Sequence, residues 1–296
     1  MSNTKFHIGT AGWSNEDWIT NFYPKAQTGQ FDWLQFYSHY FNFVGVNSSY
    51  YAYISPRVVH GWIEKVSDVN DFQFSIKLHQ DVTHKRNYDQ QKIAAVHFDL
   101  DLLHKAERFG GLLIQFPYSF PFNENNMNYI SHLREHFEKF NCFVEVRHQS
   151  WFNEKVFDIF KKLDVSYTVI DQPPIGNALP FKPTAANDNV HIRFHGRNRQ
   201  AWQKSINNFG SEQTFEEKNE RYDYLYSPGE LKEFELAIDH LLKNSVKEIY
   251  IIFNNHHHGQ AAANVFEFIS YLEERLVEIP KTTLTAFPRL SQISLT

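Results

Sequence analysis

Eight short apolar or β-branched runs recur along the chain, each closing on polar residues or glycine, and segments with helical periodicity separate most of them. The runs are Phe6–Thr10, Phe43–Asn47, Phe72–Lys77, Leu112–Phe116, Phe143–Arg147, Tyr167–Asp171, Val190–His195 and Ile249–Asn254. Strands that alternate with helices pair in parallel, because each crossover brings the chain back to the same end of the sheet. Their spacing of about 35 residues fits roughly 250 residues divided among eight βα units. The expected fold is α/β, a single (β/α)8 TIM-type barrel over 1–296 with a short C-terminal tail over 280–296. A doubly wound open sheet is the competing arrangement, and it would carry a Gly-rich turn after its first strand. Gly9-Thr10-Ala11-Gly12 lacks the third glycine and runs into Trp13.

Helical periodicity is expected from Phe31, after Ser55-Pro56, over Ile93–Phe109, Met127–Phe137 and Val156–Leu163, and over Ala261–Leu272. The sharpest start is Ser227-Pro228-Gly229-Glu230. A Ser N-cap, Pro at the first helical position and Glu two residues later make a capping box that satisfies backbone N–H groups of the first turn. Two units depart from the ideal. Four prolines between Gln172 and Asn189 predict a reduced sixth helix, and the polar stretch over 196–227 predicts a long loop after strand seven, long enough for a lid.

Composition narrows the function classes. With 42% hydrophobic residues the chain can bury a core, which excludes disordered and fibrous classes. A net charge of −5 argues against a coat for nucleic acid, leaving a local basic cleft as the only route to one. The single Cys142 excludes an internal disulfide framework and a Cys-based zinc site. No apolar run reaches membrane-spanning length and no leader pattern precedes Phe6, so the expectation is a cytoplasmic protein without a membrane partner. The oligomeric state is not readable.

In a strand, residues i and i+2 share a face, and the outer face of a barrel packs on helices. Val190, Ile192 and Phe194 are apolar, which turns His191, Arg193 and His195 inward. Val144 and Val146 likewise turn Glu145 and Arg147 inward. The same sorting places Asn47, Lys77, Gln115, Asp171 and Asn254 inside. All lie near strand C-terminal ends, where barrel enzymes build their sites. A closed network of ion pairs that only fixes the barrel is the plain alternative. Cations outnumber carboxylates in this set, however, and the guanidinium fork suits carboxylate or phosphate.

At this point the chain resembles the YecE-like family, domain of unknown function 72, over nearly its whole length. The matching blocks are Ile8-Gly9-Thr10-Ala11-Gly12-Trp13 with Trp18 and Tyr23-Pro24; Val46-Asn47-Ser48-Ser49-Tyr50-Tyr51; Lys77 with Thr83-His84; and Leu113-Ile114-Gln115-Phe116-Pro117. They continue with Val144-Glu145-Val146-Arg147-His148 and Ser150-Trp151-Phe152; Arg193-Phe194-His195-Gly196-Arg197; Tyr226-Ser227; and Phe253-Asn254-Asn255 with Gly259 and Ala261-Ala262. The resemblance implies a TIM-type barrel and no activity. It also implies an acidic residue where this chain has Gly45, so one carboxylate of the barrel interior is missing here.

The leading functional expectation is a hydrolase-like enzyme acting on an anionic, phosphate-containing substrate, with nucleotides and nucleic acid included. Lys77, Arg147, Arg193 and Arg197 would neutralise charge, His195 and His84 would move protons, and Glu145 or Asp171 would act as base. Asn47, Gln115, Asn254, Trp13 and Tyr50 would complete the binding surface. A divalent metal on Glu145, Asp171, His195 and His148 is not favoured, because Arg193 sets a cation beside His195. The alternatives are a sugar or sugar-acid enzyme, metal-dependent or using two carboxylates, and a non-catalytic protein that binds a metabolite or partner.

Overall fold

The computed structural model describes residues 4–25, 31–87, 89–207, 214, 217, 219–243 and 246–295. Eight parallel strands, β1 (Lys5–Ala11), β2 (Phe43–Val46), β3 (Gln73–Lys77), β4 (Phe109–Gln115), β5 (Cys142–Glu145), β6 (Ser166–Asp171), β7 (Asn189–Phe194) and β8 (Glu248–Phe253), close into a barrel in chain order. Around them lie α1 (Trp33–Tyr40), α2 (Pro56–Lys65), α3 (Gln80–Thr83), α4 (Gln90–Lys105), α5 (Glu124–His136) and α6 (Glu154–Leu163). The series continues with α7 (Arg199–Asn207), α8 (Pro228–Leu242), α9 (Gln260–Leu272) and α10 (Lys281–Ala286). The expected (β/α)8 barrel is therefore the fold.

Local chemistry sets the helix starts. Asp32, Asp89, Asn123 and Asn153 each accept backbone N–H groups of the helix they precede. At α8 the expected capping box is complete, with Ser227 and Glu230 each bonded to the other's backbone N–H. Outer-phase strand residues such as Val44, Ile114, Val144, Ile192 and Phe253 join the helices in one large core. Inner-phase Ala11, Phe43, Leu113, Phe143, Tyr250 and Ile252 form a second apolar cluster inside the barrel. His7 stacks on Tyr250 and His191 on Phe143, so imidazoles fill this interior as flat rings.

Gly9 is required where β1 meets β2. A Cβ there would lie 1.7 Å from the Phe43 carbonyl oxygen. The Tyr37 hydroxyl, from α1, donates to that same oxygen at 2.8 Å and accepts the Thr10 N–H at 2.8 Å, which fixes the close approach.

As the prolines predict, no helix separates β6 from β7. The connection after β7 differs from the expected loop, since it contains α7 and a 3-10 turn at Glu220–Tyr222. Only Ala201 and Trp202 of α7 are buried, so its polar sequence carries too weak an apolar face to signal a helix. Residues 208–213, 215, 216 and 218 of the expected loop lie outside those described. The 280–296 segment is a packed layer over its described length: Thr282 bonds to the Phe22 carbonyl, Leu290 is buried, and Arg289 binds both the Tyr226 carbonyl and Glu267. Among the described residues no helix is long and apolar enough to cross a membrane.

Candidate functional site

One carboxylate organises the C-terminal end of the barrel. Glu145, at the last position of β5, is fully buried. Arg147 grips its Oε1 through Nε at 3.0 Å and Nη2 at 2.6 Å, while Arg193 from β7 donates to Oε2 at 2.6 Å. Burial alone would push the Glu145 pKa up; the two guanidiniums override it and hold the group well below the usual carboxylate range. Strand alternation put both groups inside, as expected from sequence.

His195, one residue past β7, closes the far side of this cluster. Arg147 Nη2 lies 3.2 Å from its Nε2 and the Asn254 side-chain amide 3.0 Å from its Nδ1. Arginine only donates, so Nε2 accepts and the ring is neutral. Burial and the Arg147 charge lower its pKa to about 3, against the pull of Glu145. Asn254 also accepts from Arg193 and Asn47, each at 3.4 Å. Gln115 shares the inner phase but spends its amide N–H on the Phe116 carbonyl.

Lys77 ends β3 on the same inner face. Its Nζ stands 4.1 Å from the centroid of the Tyr50 ring, and among the described residues it has no ion-pair or hydrogen-bond partner. Burial first, and then Arg193, with Arg147 and Arg221 adding to it, lower its pKa to about 7, while Glu145 opposes them. On the other flank, the His84 ring lies 5.0 Å from Tyr50, with Nδ1 against the Thr83 hydroxyl. Burial and the Lys77 charge lower the His84 pKa to about 4, so this imidazole is a free base at neutral pH. Below Lys77 a narrow recess of about 10 Å³, room for a single water, is lined by Gly45, Asn47, Ser75, His191 and Arg193. Two of these, His191 at Nε2 and Arg193 at Nε, carry buried nitrogens with no partner. A Cβ at Gly45 would stand 3.5 Å from Ile252, an ordinary contact, so the glycine here leaves space and does not relieve a clash.

A roof over the cluster comes from residues the sequence did not single out. Trp202 of α7 and Tyr222 of the 3-10 turn each lie 6.3 Å from the His195 ring. The Arg147 guanidinium sits over Trp202, and Arg221 packs on both aromatics. Burial would raise the Tyr222 pKa, but Arg221, Arg147 and Arg193 together lower it. The one available signal was a pair of large aromatics inside an otherwise polar connection.

Four expected site residues lie elsewhere. Asp171 is on the outer phase of β6, shared with Tyr167, which packs on Phe157 and Phe160 of α6; Thr168 is the inward neighbour, bonded to His191. Arg197 binds Asp171 through Nε and Nη2 at 2.7–3.0 Å, and Tyr226 donates to it at 2.6 Å. Arg197 also reaches Glu230 at 3.3 Å, so this pair ties the ends of β6 and β7 to the start of α8. Trp13 turns into the outer layer against Trp62 and Phe74. His148 caps the turn at Gln149–Trp151 through Ser150. Among the described residues no three His, Cys, Asp or Glu side chains converge where they could hold a metal ion.

Comparison with known proteins agrees with this architecture. The chain is 29% identical over 280 residues to the UPF0759 protein YunF of Bacillus subtilis, covering 90% of this chain and 94% of that protein. It is 27% identical over 180 residues to the UPF0759 protein YecE of Escherichia coli K12, covering 59% and 62% respectively. A crystal structure of a DUF72 family protein from Thermotoga maritima superposes with a TM-score of 0.75 at 32% identity, covering 91% of this chain and 99% of that one. A DUF72 family protein from Enterococcus faecalis shares the fold with a TM-score of 0.76 at 23% identity, covering 90% and 95%. Residues 7–288 match the family described as Protein of unknown function DUF72, and the chain belongs to that family.

Proposed function

We propose that this protein is a hydrolase-like enzyme that holds a small anionic, phosphate-bearing substrate at the C-terminal mouth of its barrel. The observation that carries this reading is an excess of positive charge: buried Arg193 and part-buried Arg147 share one carboxylate, and part-buried Lys77 has none. Charge partly withdrawn from water is costly unless paired, so an anion settling at the mouth beside Lys77 would complete the pairing. The unpartnered Arg193 Nε and His191 Nε2 beside the recess support the same direction.

The roles shift within the expected set. Glu145 is a poor base, because both its oxygens are already bound by arginine; it fixes the two guanidiniums. His195, whose Nε2 accepts from Arg147, steadies that guanidinium. His84 is the group suited to take a proton, since it is neutral and only half-buried. Asn47, Asn254, Gln115 and Tyr50 shape the wall. The reading with two carboxylates loses its support because Asp171 is turned away from Glu145. The inner recess holds no more than a water, so the anion would sit above it beside Lys77, as a small molecule or a terminal phosphate.

A thermal-shift panel tests the binding step. Sulfate, phosphate and nucleotides are expected to raise Tm while neutral sugars do not, and the opposite ranking refutes the reading. A panel of phosphate esters with wild type and His84→Ala then tests the chemistry: turnover that survives in the variant removes His84 from its role.

A further inference from the structure

We propose that Lys77 is an amine nucleophile that condenses with the carbonyl carbon of a small substrate whose carboxylate or phosphate rests on Arg193 and Arg147. This deepens the anion-binding reading and depends on it. Four observations point the same way. Lys77 is the cation of the cluster with no carboxylate on it among the described residues, so no counter-ion holds it as ammonium. Its side chain is only part-buried, at the mouth of a recess that Gly45 and Ser75 leave open to about one water. Arg193 lines the same recess and Arg147 holds the other oxygen of Glu145, and cationic groups near a lysine favour its free amine. Finally, His84, a neutral imidazole, flanks the same Tyr50 ring that Lys77 touches.

The charged and titratable groups facing Lys77 come from four sides: Tyr50 after β2, Glu145 and Arg147 from β5, His191 and Arg193 from β7, and Arg221 from the roof. Glu145 is the lone anion among them, and both arginines already claim it. At a pKa of about 7 both forms of Lys77 are populated at neutral pH, so a free amine is available there.

The step balances without a co-reactant. The nitrogen lone pair attacks the carbonyl carbon and the C=O π pair moves to oxygen; His84 takes one proton from the nitrogen and passes it to that oxygen, giving a carbinolamine. The nitrogen lone pair then expels the hydroxyl, His84 carries the second nitrogen proton to it so that it leaves as water, and a C=N bond to Lys77 remains. The net change is amine plus carbonyl to imine plus water.

Reductive trapping on the full chain tests this. The protein is incubated separately with glyoxylate, pyruvate and dihydroxyacetone phosphate in the presence of cyanoborohydride, and modified lysines are located by peptide mass spectrometry. At pH 7 Lys77 is expected to label roughly a hundredfold faster than exposed Lys162, since its free-amine fraction exceeds an ordinary lysine's by about three orders of magnitude and lower basicity takes back part of that. Its rate should rise with a midpoint near pH 7, and sulfate should compete. The carboxylate and phosphate probes separate the two anchor chemistries. Lys77→Arg should abolish the fast site and Lys77→Met serves if the arginine variant does not fold. Labelling of Lys77 no faster than Lys162, with sulfate still raising Tm, overturns the nucleophile and leaves the anion-binding reading standing. Loss of both effects overturns the two together.

Discussion

Replacing Glu145 by Gln keeps the shape of the side chain and removes the one negative charge between Arg147 and Arg193. Breaking a buried pair from one side costs about 3–5 kcal/mol, because the remaining charges stay buried without compensation. Unfolding entropy of about 2.1 cal/mol/K per residue gives roughly 0.6 kcal/mol/K for a chain of this length, so the melting temperature should fall by about 5–8 °C. The same change makes the mouth more positive, and sulfate should then rescue the variant more than it stabilises wild type. At about a hundred times its Kd, a ligand that binds only the native state returns about 2.7 kcal/mol. Differential scanning calorimetry across a sulfate series reads both quantities. A Glu145→Gln protein that melts with wild type and ignores sulfate would refute the idea that this carboxylate holds excess cations together.

Other outcomes follow from the same geometry. Because Lys77 is lowered from 10.5 to about 7, the folded state sheds a proton that the unfolded chain keeps; its destabilisation is full below pH 7 and fades toward 10.5. Lys77→Met should therefore gain most over wild type near pH 6, with the gap in Tm roughly halved by pH 9 and closing only near 10.5. His84, His195 and His256 are lowered to about 4, 3 and 4, and His191 well below its ordinary value, so unfolding near pH 5 should take up roughly three to four protons from these groups. Stability should drop as pH falls below 6.5, and a flat urea midpoint between pH 6.5 and 5 would contradict the buried neutral rings. Tyr226→Phe removes a hydrogen bond to the Asp171 carboxylate and the acceptor of the Gly196 N–H, and should cost about 1.5–3 kcal/mol by denaturant titration. Gly9→Ala should prevent normal folding, as its Cβ has no space beside the Phe43 carbonyl; soluble protein with wild-type circular dichroism would show that β1 and β2 can part.

How much of this was legible depended on whether each strand alternates. In β5 and β7 the outer positions are all apolar, Cys142 and Val144 in one and Val190, Ile192 and Phe194 in the other, so Glu145, Arg193 and His195 were placed inward correctly from pattern. In β6 the run Tyr167-Thr168-Val169-Ile170-Asp171 is largely apolar on both phases, alternation is silent, and Asp171 was assigned to the wrong side. Trp13 follows Gly12, whose φ of +87° redirects the chain out of the strand, so extrapolating the strand's phase failed there. Trp202 and Tyr222 went unnoticed because the roof is built from a polar connection whose two aromatics meet the mouth only through tertiary packing. Asn47, Lys77, Gln115 and Asn254 needed no such information: each sits at or just past a strand end whose inner phase the preceding residues already set.

The seam between β1 and β8 pairs Lys5 with Glu248 and Thr10 with Phe253, residues separated by most of the chain. During synthesis the first strand therefore leaves the ribosome long before its second neighbour exists, and it waits with one unpaired edge. Only when β8 emerges can the cylinder seal, and Thr282 and Arg289 then fasten α10 and the turn beyond it across Phe22, Tyr226 and Glu267. Contacts this distant along the chain slow the final assembly. A nascent chain stalled before residue 248 should expose that edge to chaperones, and releasing a further few dozen residues should be enough to withdraw it.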